Sequence, residues 1–332
     1  MRIALINSGL GLLAPAAALH RMQPDADLVL APDPDGMPWG PRTPDDIADR
    51  ALRCARAALR YQPDILVMAC NTGSVHALAA MRAEFEPDIP VIGTVPAIKP
   101  AAAACQKVAI WATVATTASA YQRRLVAEFA GSADVTPVAC PGLADAVDAG
   151  DPAATAAAVA TAAARTPGGC EAVVLGCTEY ELVAGQIREA VPGAVTFGSA
   201  DAVAAQALRR IPGTGRIAGQ AIDGRRIAGQ AIAGRRIAGQ AIAGRGIAGQ
   251  AIDGNGSGEL RPVTTSDAAI ELPPVPAAEL AGGRLGAVRV LLSGRPSGLP
   301  QQALRYPEGR LLAPLVVVGD EREPTAGQVA GH

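Results

Sequence analysis

Two similar stretches of sequence decide the fold: 65-ILVMACNTG-73 and 172-AVVLGCTEY-180. Each begins with a short, wholly apolar run, which is typical of a strand buried on both faces of a parallel sheet. A small residue, a cysteine and a polar residue follow each run, and a helical pattern comes next. Cys70 and Cys177 are therefore both expected at the carboxyl end of a strand, close to the start of a helix.

The rest of the chain repeats this alternation of strand and helix. Further apolar runs, read as strands, occur at 3–6, 91–93, 108–112, 135–139 and 286–292. Helical patterns occur at 44–60, 74–85, 118–130 and 181–190. The alternation predicts an α/β fold with mostly parallel sheets flanked by helices. Because ligands bind at the carboxyl ends of such strands, the residues that follow each run are the candidates for function.

Residues 212–258 differ in kind from the rest of the chain. They contain four decapeptides, RIAGQAIDGR, RIAGQAIAGR, RIAGQAIAGR and GIAGQAIDGN. Isoleucine recurs every five residues, a spacing that forms neither one face of a helix nor one face of a strand. The segment has a net positive charge and no aromatic side chain. We expect a surface insertion; an arm that binds nucleic acid or a protein partner is the alternative.

Composition argues against several classes of protein. Lys plus Arg number 29 and Asp plus Glu number 31, a balance that fits neither a broadly basic nucleic-acid binder nor an acidic disordered chain. No apolar run approaches the roughly 18 residues of a membrane span. The first apolar run is interrupted at Asn7, too early for a signal peptide. A soluble, cytoplasmic protein without a nucleic-acid or membrane partner is expected.

Cofactor and metal chemistry find little support in the sequence. The six cysteines contain no CxxC pair and do not predict a disulfide framework. The three histidines show no HxxxH or HxH spacing, so no metal site is predicted. Lys99 and Lys107 are the only lysines, which leaves few candidates for a pyridoxal phosphate Schiff base. We expect no cofactor.

The paired cysteines suggest a different chemistry. Unpaired N–H groups at a helix start stabilise a thiolate, and Cys70 and Cys177 have matching contexts 107 positions apart. For either cysteine taken singly, simple burial in the core is the alternative. Two thiols facing one cleft would suit the transfer of a proton from one face of a planar carbon to the other. This hypothesis requires both sulfurs to share one cavity.

ACNT around Cys70 and LGCTEY around Cys177 resemble the paired signatures of the aspartate/glutamate racemase superfamily, and the chain is most similar to its glutamate racemase branch. Other similar segments follow in order: NSGLG at 7–11, PWG at 38–40 after Asp33, GTVPAIKPA at 93–101, ATVATTASAY at 112–121, CPGLADAVDAG at 140–150, Ser199-Ala200 and LLSG at 291–294. The resemblance covers about 1–211 and 284–312, which implies that 212–258 is inserted before the last strand.

The resemblance implies two α/β lobes that face each other across a cleft. The first lobe is expected to contain 1–96, 200–211 and 284–312, and the second 97–199. Residues 212–258 would form the insertion and 313–332 a flexible tail. A homodimer is a further expectation from the resemblance alone.

The implied activity is cofactor-independent racemisation of a small acidic amino acid, with glutamate favoured and D-glutamate for peptidoglycan as its use. One cysteine would take the α-proton and the other would return a proton to the opposite face. By position, the catalytic residues would be Cys70, Cys177, Asn7, Asp148 and Glu179. The residues that bind substrate would be Ser8, Trp39, Gly40, Asn71, Thr72, Thr116 and Thr178.

Three of these positions depart from the glutamate racemase pattern. Asn7 replaces an aspartate that assists the first cysteine, Glu179 replaces a histidine, and Asp148 replaces a glutamate. Aspartate-type members carry glutamate at the position of Glu179. An amide cannot accept the proton of a thiol, so we expect a slow or substrate-shifted racemase that Asn7→Asp would accelerate. An aspartate-type racemase, a binding relative without activity, and another isomerisation or decarboxylation of a small dicarboxylate remain alternatives.

Overall fold

The computed structural model describes residues 1–211 and 284–318. The predicted insertion at 212–258 lies outside these residues, as do positions 319–332 of the predicted tail. In the described part of that tail, Ala313–Leu315 forms a 3-10 turn and Val316 pairs with Val288 through an isolated bridge.

The described residues form ten strands. These are β1 Arg2–Asn7, β2 Asp27–Pro32, β3 Ile65–Met68, β4 Val91–Gly93, β5 Lys107–Ala112, β6 Asp134–Ala139, β7 Ala172–Leu175, β8 Val195–Phe197, β9 Val288–Leu292 and β10 Arg295–Ser297. Every predicted strand is present, whereas β2, β8 and β10 were not predicted. The strand β2 has a buried apolar run at 28–31, as long as that of β3, so its sequence carried the same signal.

Twelve α-helices occur in the same part of the chain. These are α1 Leu13–Met22, α2 Pro44–Ala58, α3 Asn71–His76, α4 Leu78–Phe85, α5 Ile98–Ala104, α6 Val114–Ala118, α7 Ala120–Phe129, α8 Leu143–Ala149, α9 Pro152–Arg165, α10 Ala184–Ala190, α11 Ala200–Arg210 and α12 Pro307–Leu312. The helix predicted over 74–85 is divided at Ala77, which has φ −109° and ends α3 as α4 begins. None of the described helices is long and apolar enough to cross a membrane.

Local signals explain where several helices begin. Thr43 caps α2 by accepting a hydrogen bond from the Asp46 N–H, and Pro44 occupies the first turn. Asp151 caps α9 in the same way, again followed by proline. Helix α1 has no side-chain cap, but its residues from Leu13 to His20 are all buried, so packing stabilises it.

The strands form two sheets, which confirms the predicted α/β class. The first has the order β10-β9-β2-β1-β3-β4 and the second the order β6-β5-β7-β8. All neighbouring strands are parallel except β10, which is antiparallel to β9. The chain therefore builds β1–β4, passes to the second sheet for β5–β8, and returns through α11 to add β9 and β10. The exact lobe boundaries stay a prediction.

One large hydrophobic cluster joins the two sheets. It contains Leu5 of β1, Trp111 of β5 and Leu175 of β7, together with apolar residues of α1, α8, α9 and α11. Smaller clusters cover the outer face of each sheet, around Met68 in the first and Ile110 in the second. The shared core fixes the carboxyl ends of the parallel strands near one another.

Candidate active site

A cavity of about 410 Å³ lies where the parallel strands of both sheets end. Its walls include residues at the ends of β1, β3, β5, β6 and β7: Cys70, the second residue after β3, and Ser8, Thr113, Cys140 and Gly176, which directly follow the other four strands. Both Cys70 and Cys177 line it, as the hypothesis of two thiols at one cleft requires.

Most of the predicted site residues meet at this cavity. Those that line it are Ser8, Trp39, Gly40, Cys70, Asn71, Thr72, Thr116, Asp148, Cys177 and Glu179. Asn7 and Thr178 are buried instead, with 0% and 1% of their surface exposed. They lie behind the wall of the cavity and contact its lining residues through hydrogen bonds.

Cys70 follows β3 and precedes the first turn of α3. Its Sγ accepts a hydrogen bond from the Gly73 N–H at 3.4 Å and lies 4.0 Å from the Ser8 Oγ. Burial, with a smaller contribution from the charge of Glu179, raises the pKa of the Cys70 thiol to about 12. In the ligand-free protein at neutral pH, this group is therefore a thiol rather than a thiolate.

Cys177 has a carboxylate directly beside it. Its Sγ donates a hydrogen bond to the Glu179 Oε2 at 2.8 Å. Burial and the negative charge of Glu179 raise the pKa of the Cys177 thiol well above its usual value. A Cβ at the preceding Gly176 would lie 2.6 Å from the Trp111 carbonyl oxygen, so glycine lets β7 pack against β5 where it delivers Cys177.

Asp148 completes an acidic side of the cavity. Its Oδ1 accepts a hydrogen bond from the Leu10 N–H at 2.7 Å. Burial and the nearby charge of Glu179 raise the pKa of Asp148 well above its usual value. A Cβ at Gly9 would lie 2.3 Å from the Asp148 carboxyl group, so the carboxyl packs directly on the Gly9 backbone.

Asp145, Asp148 and Glu179 line the cavity, but no Lys, Arg or His of the described chain does. An anionic ligand must therefore be held by neutral donors, such as hydroxyls and backbone N–H groups. Among the described residues, no group of three or more His, Cys, Asp or Glu side chains is arranged to hold a metal ion.

Asn7, the last residue of β1, uses its whole side chain in hydrogen bonds. Its Nδ2 donates to the Ala69 carbonyl oxygen at 2.7 Å and to the Thr178 Oγ1 at 3.2 Å. Its Oδ1 accepts from the Ser8 Oγ at 3.2 Å and from the Gly9 N–H at 3.3 Å. The amide therefore connects the first sheet with the residue that follows Cys177.

Asn71 makes a second connection of this kind. Its Nδ2 donates to the Gly176 carbonyl oxygen at 2.6 Å, and its Oδ1 accepts from the Thr94 hydroxyl. The two asparagines thus contact the residues on either side of Cys177. Although Asn71 lines the cavity, its amide is largely committed to these bonds.

Trp39 forms a wall of the cavity and is held by Asp33. Its indole Nε1 donates to the Asp33 Oδ2 at 3.1 Å, and only 1% of Trp39 is exposed. Asp33 also accepts from the Arg50 Nη1 at 3.2 Å and from the Ser293 Oγ at 2.9 Å. The resemblance includes Asp33 ahead of the PWG segment, but the sequence did not predict these contacts, because the strand β2 that ends beside Asp33 was not predicted.

Thr113 and Cys140 line the cavity but were not among the predicted site residues. The hydroxyl of Thr113 accepts from the Thr116 N–H at 3.2 Å and donates to the Thr116 Oγ1 at 3.0 Å, so the two threonines act together. Both missed residues directly follow a predicted strand, 108–112 or 135–139, and this position was the signal that could have found them.

Comparison with known proteins agrees with the fold. Residues 11–207 match the model of the family Asp/Glu/Hydantoin racemase. Glutamate racemase of Pseudomonas entomophila is 36% identical over 217 residues, which are 64% of this chain and 81% of that protein.

Solved structures of glutamate racemases have a similar fold. The Escherichia coli enzyme, in complex with L-glutamate and the activator UDP-MurNAc-Ala, superposes with a TM-score of 0.60 at 28% identity, covering 63% of this chain and 83% of that one. The RacE1 isoform from Bacillus anthracis gives a TM-score of 0.52 at 28% identity, covering 61% and 79%. Fold and site define an amino-acid racemase, an isomerase independent of pyridoxal phosphate. The chain belongs to the Asp/Glu/Hydantoin racemase family.

Proposed function

We propose that the protein racemises a small acidic amino acid, with glutamate favoured, through Cys70 and Cys177. The observation that carries the proposal is that both thiols line one cavity, each at the end of a strand from a different sheet. Relatives and structural neighbours bear the name glutamate racemase, which favours glutamate over aspartate. Supply of D-glutamate for peptidoglycan is the corresponding use.

The proposed reaction moves one proton in each of two steps. The thiolate of one cysteine takes the α-proton, and the electron pair of the broken C–H bond stays on the substrate as a carbanion. The thiol of the other cysteine then gives its proton to the opposite face of the carbon. The two sulfurs end with exchanged protonation states, so the product enantiomer is ready to react in the reverse direction.

Each thiol needs help to ionise because its pKa is raised. For Cys177, Glu179 is the proton acceptor, since its Oε2 already accepts a hydrogen bond from the thiol at an Sγ–Oε2 distance of 2.8 Å. For Cys70, the Gly73 N–H already donates to the sulfur and would stabilise the thiolate. The Ser8 hydroxyl, 4.0 Å from the sulfur, would add to this by turning its hydrogen from the Asn7 Oδ1 to the thiolate. Removal of a general base lowers rates by about 10²–10⁴-fold, and we expect a loss of this size for Glu179→Gln.

The substrate would be bound by neutral groups. Ser8, Thr72 and Thr116 line the cavity with hydroxyls and backbone N–H groups suited to carboxylates. Trp39 and Gly40 would enclose the side chain of the substrate. Thr178 and Asn71 would act by holding the segment around Cys177, since their side chains already bond to protein groups.

The test is exchange of the α-proton in D₂O with L- and D-glutamate and with L- and D-aspartate, followed by NMR and chiral chromatography. We expect deuterium at Cα and loss of optical purity, with glutamate reacting faster than aspartate. Cys70→Ser and Cys177→Ser should each lower the rate at least about 100-fold. Cys140→Ser is the matched control, because Cys140 lines the same cavity and its thiol donates to the Val138 carbonyl oxygen rather than to a carboxylate.

Two outcomes would overturn the proposal. Binding of an amino acid without any exchange would favour a binding relative that does not turn over its ligand. Exchange that survives both active-site serine substitutions would exclude the thiols as the proton carriers.

A further inference from the structure

The contacts of Asn7 differ from those expected of a residue that assists Cys70. No hydrogen bond joins the Asn7 amide to the Cys70 sulfur, and Asn7 does not line the cavity. One of its two amide hydrogens is instead directed at the hydroxyl of Thr178, 171 positions further along the chain. One of the four hydrogen bonds of the side chain therefore reaches the Cys177 half of the site, while the other three stay within the first sheet and the loop that follows β1.

The direction of the hydrogen bonds beyond Asn7 is fixed by chemistry. An amide nitrogen can only donate, so the Thr178 Oγ1 accepts from Asn7 and its own hydrogen is free to be donated. That hydrogen goes to the Glu179 Oε2 at 3.3 Å. The same Oε2 accepts the Cys177 thiol at 2.8 Å. The Glu179 Oε2 therefore accepts hydrogen bonds from both the Thr178 hydroxyl and the Cys177 thiol.

No described residue forms a hydrogen bond with the other oxygen of Glu179. This oxygen, Oε1, is buried. A Cβ at Gly11 would lie 2.3 Å from the Thr178 Oγ1 and 2.6 Å from the Glu179 Oε1, so the chain leaves this space to the polar groups. Among the described residues, the side-chain groups that orient the carboxylate are thus the Thr178 hydroxyl and the Cys177 thiol itself.

We infer that Asn7 is a positioning residue that, through Thr178, holds the Glu179 carboxylate against the Cys177 thiol. The inference deepens the proposed function and rests on it. The resemblance leads us to expect a faster racemase from Asn7→Asp, whereas this inference predicts a slower one.

Aspartate at position 7 would fit this arrangement poorly. A carboxylate has no N–H to donate, yet it would face the Ala69 carbonyl oxygen, which now lies 2.7 Å from the amide nitrogen. It would also compete with Glu179 for the single hydrogen of the Thr178 hydroxyl. Finally, it would be a third carboxyl group beside two that are already buried, Glu179 and Asp148. We therefore expect Asn7→Asp to lower the racemase rate at least about 10-fold.

A double-mutant cycle separates positioning from general structural damage. If Asn7 acts through Glu179, Asn7→Asp should lower kcat at least about 10-fold in the wild type. In a Glu179→Gln background the same substitution should lower kcat less than about two-fold. KM should change little in both backgrounds. The same factor in both backgrounds, or a faster Asn7→Asp enzyme, would overturn the inference. Circular dichroism and thermal unfolding report whether each variant is folded.

Variants of Thr178 provide the second test, which requires no turnover. Iodoacetamide alkylation of Cys177, followed by peptide mass spectrometry at pH 9, reports the reactivity of the sulfur. Thr178→Val removes the hydroxyl that holds the Glu179 carboxylate against the Cys177 sulfur. Because the charge of that carboxylate raises the pKa of the thiol, its release should increase the thiolate fraction and speed alkylation at least three-fold. Thr178→Ser keeps the hydroxyl and should behave as the wild type. Unchanged or slower alkylation of Cys177 in Thr178→Val would overturn the inference. This test applies even if the protein shows no exchange with any amino acid.

Discussion

Replacement of Asp33 tests whether the cavity wall is built as the structure indicates. Asp33 is 4% exposed and accepts hydrogen bonds from Trp39, Arg50 and Ser293. Its backbone oxygen separately accepts from the Gly36 N–H at 3.0 Å, so the turn itself does not need the carboxylate. A residue that merely forms a turn would therefore tolerate loss of its side chain.

The contacts allow the size of the effect to be worked out. Asp33→Ala leaves the buried Trp39 N–H without an acceptor, which costs about 1–3 kcal/mol. Loss of the partner of Arg50 adds to this, although Arg50 keeps its bond to Asp46 at 3.2 Å. We expect a total loss of about 3–5 kcal/mol in the free energy of unfolding.

Asp33→Asn should be milder than Asp33→Ala. The amide oxygen can face Trp39 and Arg50, which share the Asp33 Oδ2, while the amide nitrogen donates to the Ser293 hydroxyl. Only the charge is then lost, at a cost of about 1–2 kcal/mol because charge-assisted bonds are roughly twice as strong as neutral ones.

Urea unfolding measures these differences directly. Asp35→Ala is the matched control from the same loop, since its ion pair with Arg295 is exposed and contributes at most about 0.5 kcal/mol. In the exchange assay, Asp33→Ala should also raise KM several-fold, because Trp39 loses its support. A cost below about 1 kcal/mol for Asp33→Ala, or equal costs for the two Asp33 variants, would refute the reasoning.

Two further predictions follow from the same geometry. Because the pKa of the Cys70 thiol is raised to about 12, its thiolate fraction and its alkylation rate should rise roughly tenfold per pH unit up to pH 10, and a plateau by pH 9 would contradict the assignment. Gly11→Ala puts a Cβ 2.3 Å from the Thr178 Oγ1 and should lower the racemase rate at least about 10-fold. Gly185→Ala, with no atom within 4 Å of the new Cβ, should leave the rate unchanged and stabilise α10 by about 0.5–1 kcal/mol.

The fold was predictable where burial alone determines the sequence. The strands β1, β3, β5 and β7 lie inside their sheets, and each contains a buried run of four or five apolar residues, at 3–6, 65–68, 108–112 and 172–175. The strand β2 also lies inside its sheet and contains such a run at 28–31, so the same signal was present there although the strand was not predicted. The strand β8 is at a sheet edge and begins with the exposed Val195, and its short run carries no such signal. The alanine-rich α1 and α9 were missed because alanine fills both helix faces and leaves no periodic stripe.

The site residues that could be predicted from the sequence are those that follow the carboxyl ends of the strands. The matching contexts of Cys70 and Cys177 placed each thiol at the carboxyl end of a parallel strand, where ligands bind in such sheets. The two strands belong to different sheets, and the core that joins the sheets brings these ends together. The roles of Asp33 and Thr178 could not be predicted in this way. Asp33 acts on Trp39 and Ser293 through hydrogen bonds, and Ser293 is 260 positions away along the chain. No local pattern encodes such a contact.

Asn7 and Glu179 show that two positions treated as independent in the sequence can be coupled by a contact in the structure. By the resemblance alone, each is a separate departure from the glutamate racemase pattern, and the two positions lie 172 residues apart. In the structure, the hydroxyl of Thr178 lies between them and has only one hydrogen to give. With a carboxylate at 179, the group at 7 must donate, and asparagine does so where aspartate could not. The two departures are therefore compatible with each other, and neither indicates by itself that the racemase is impaired.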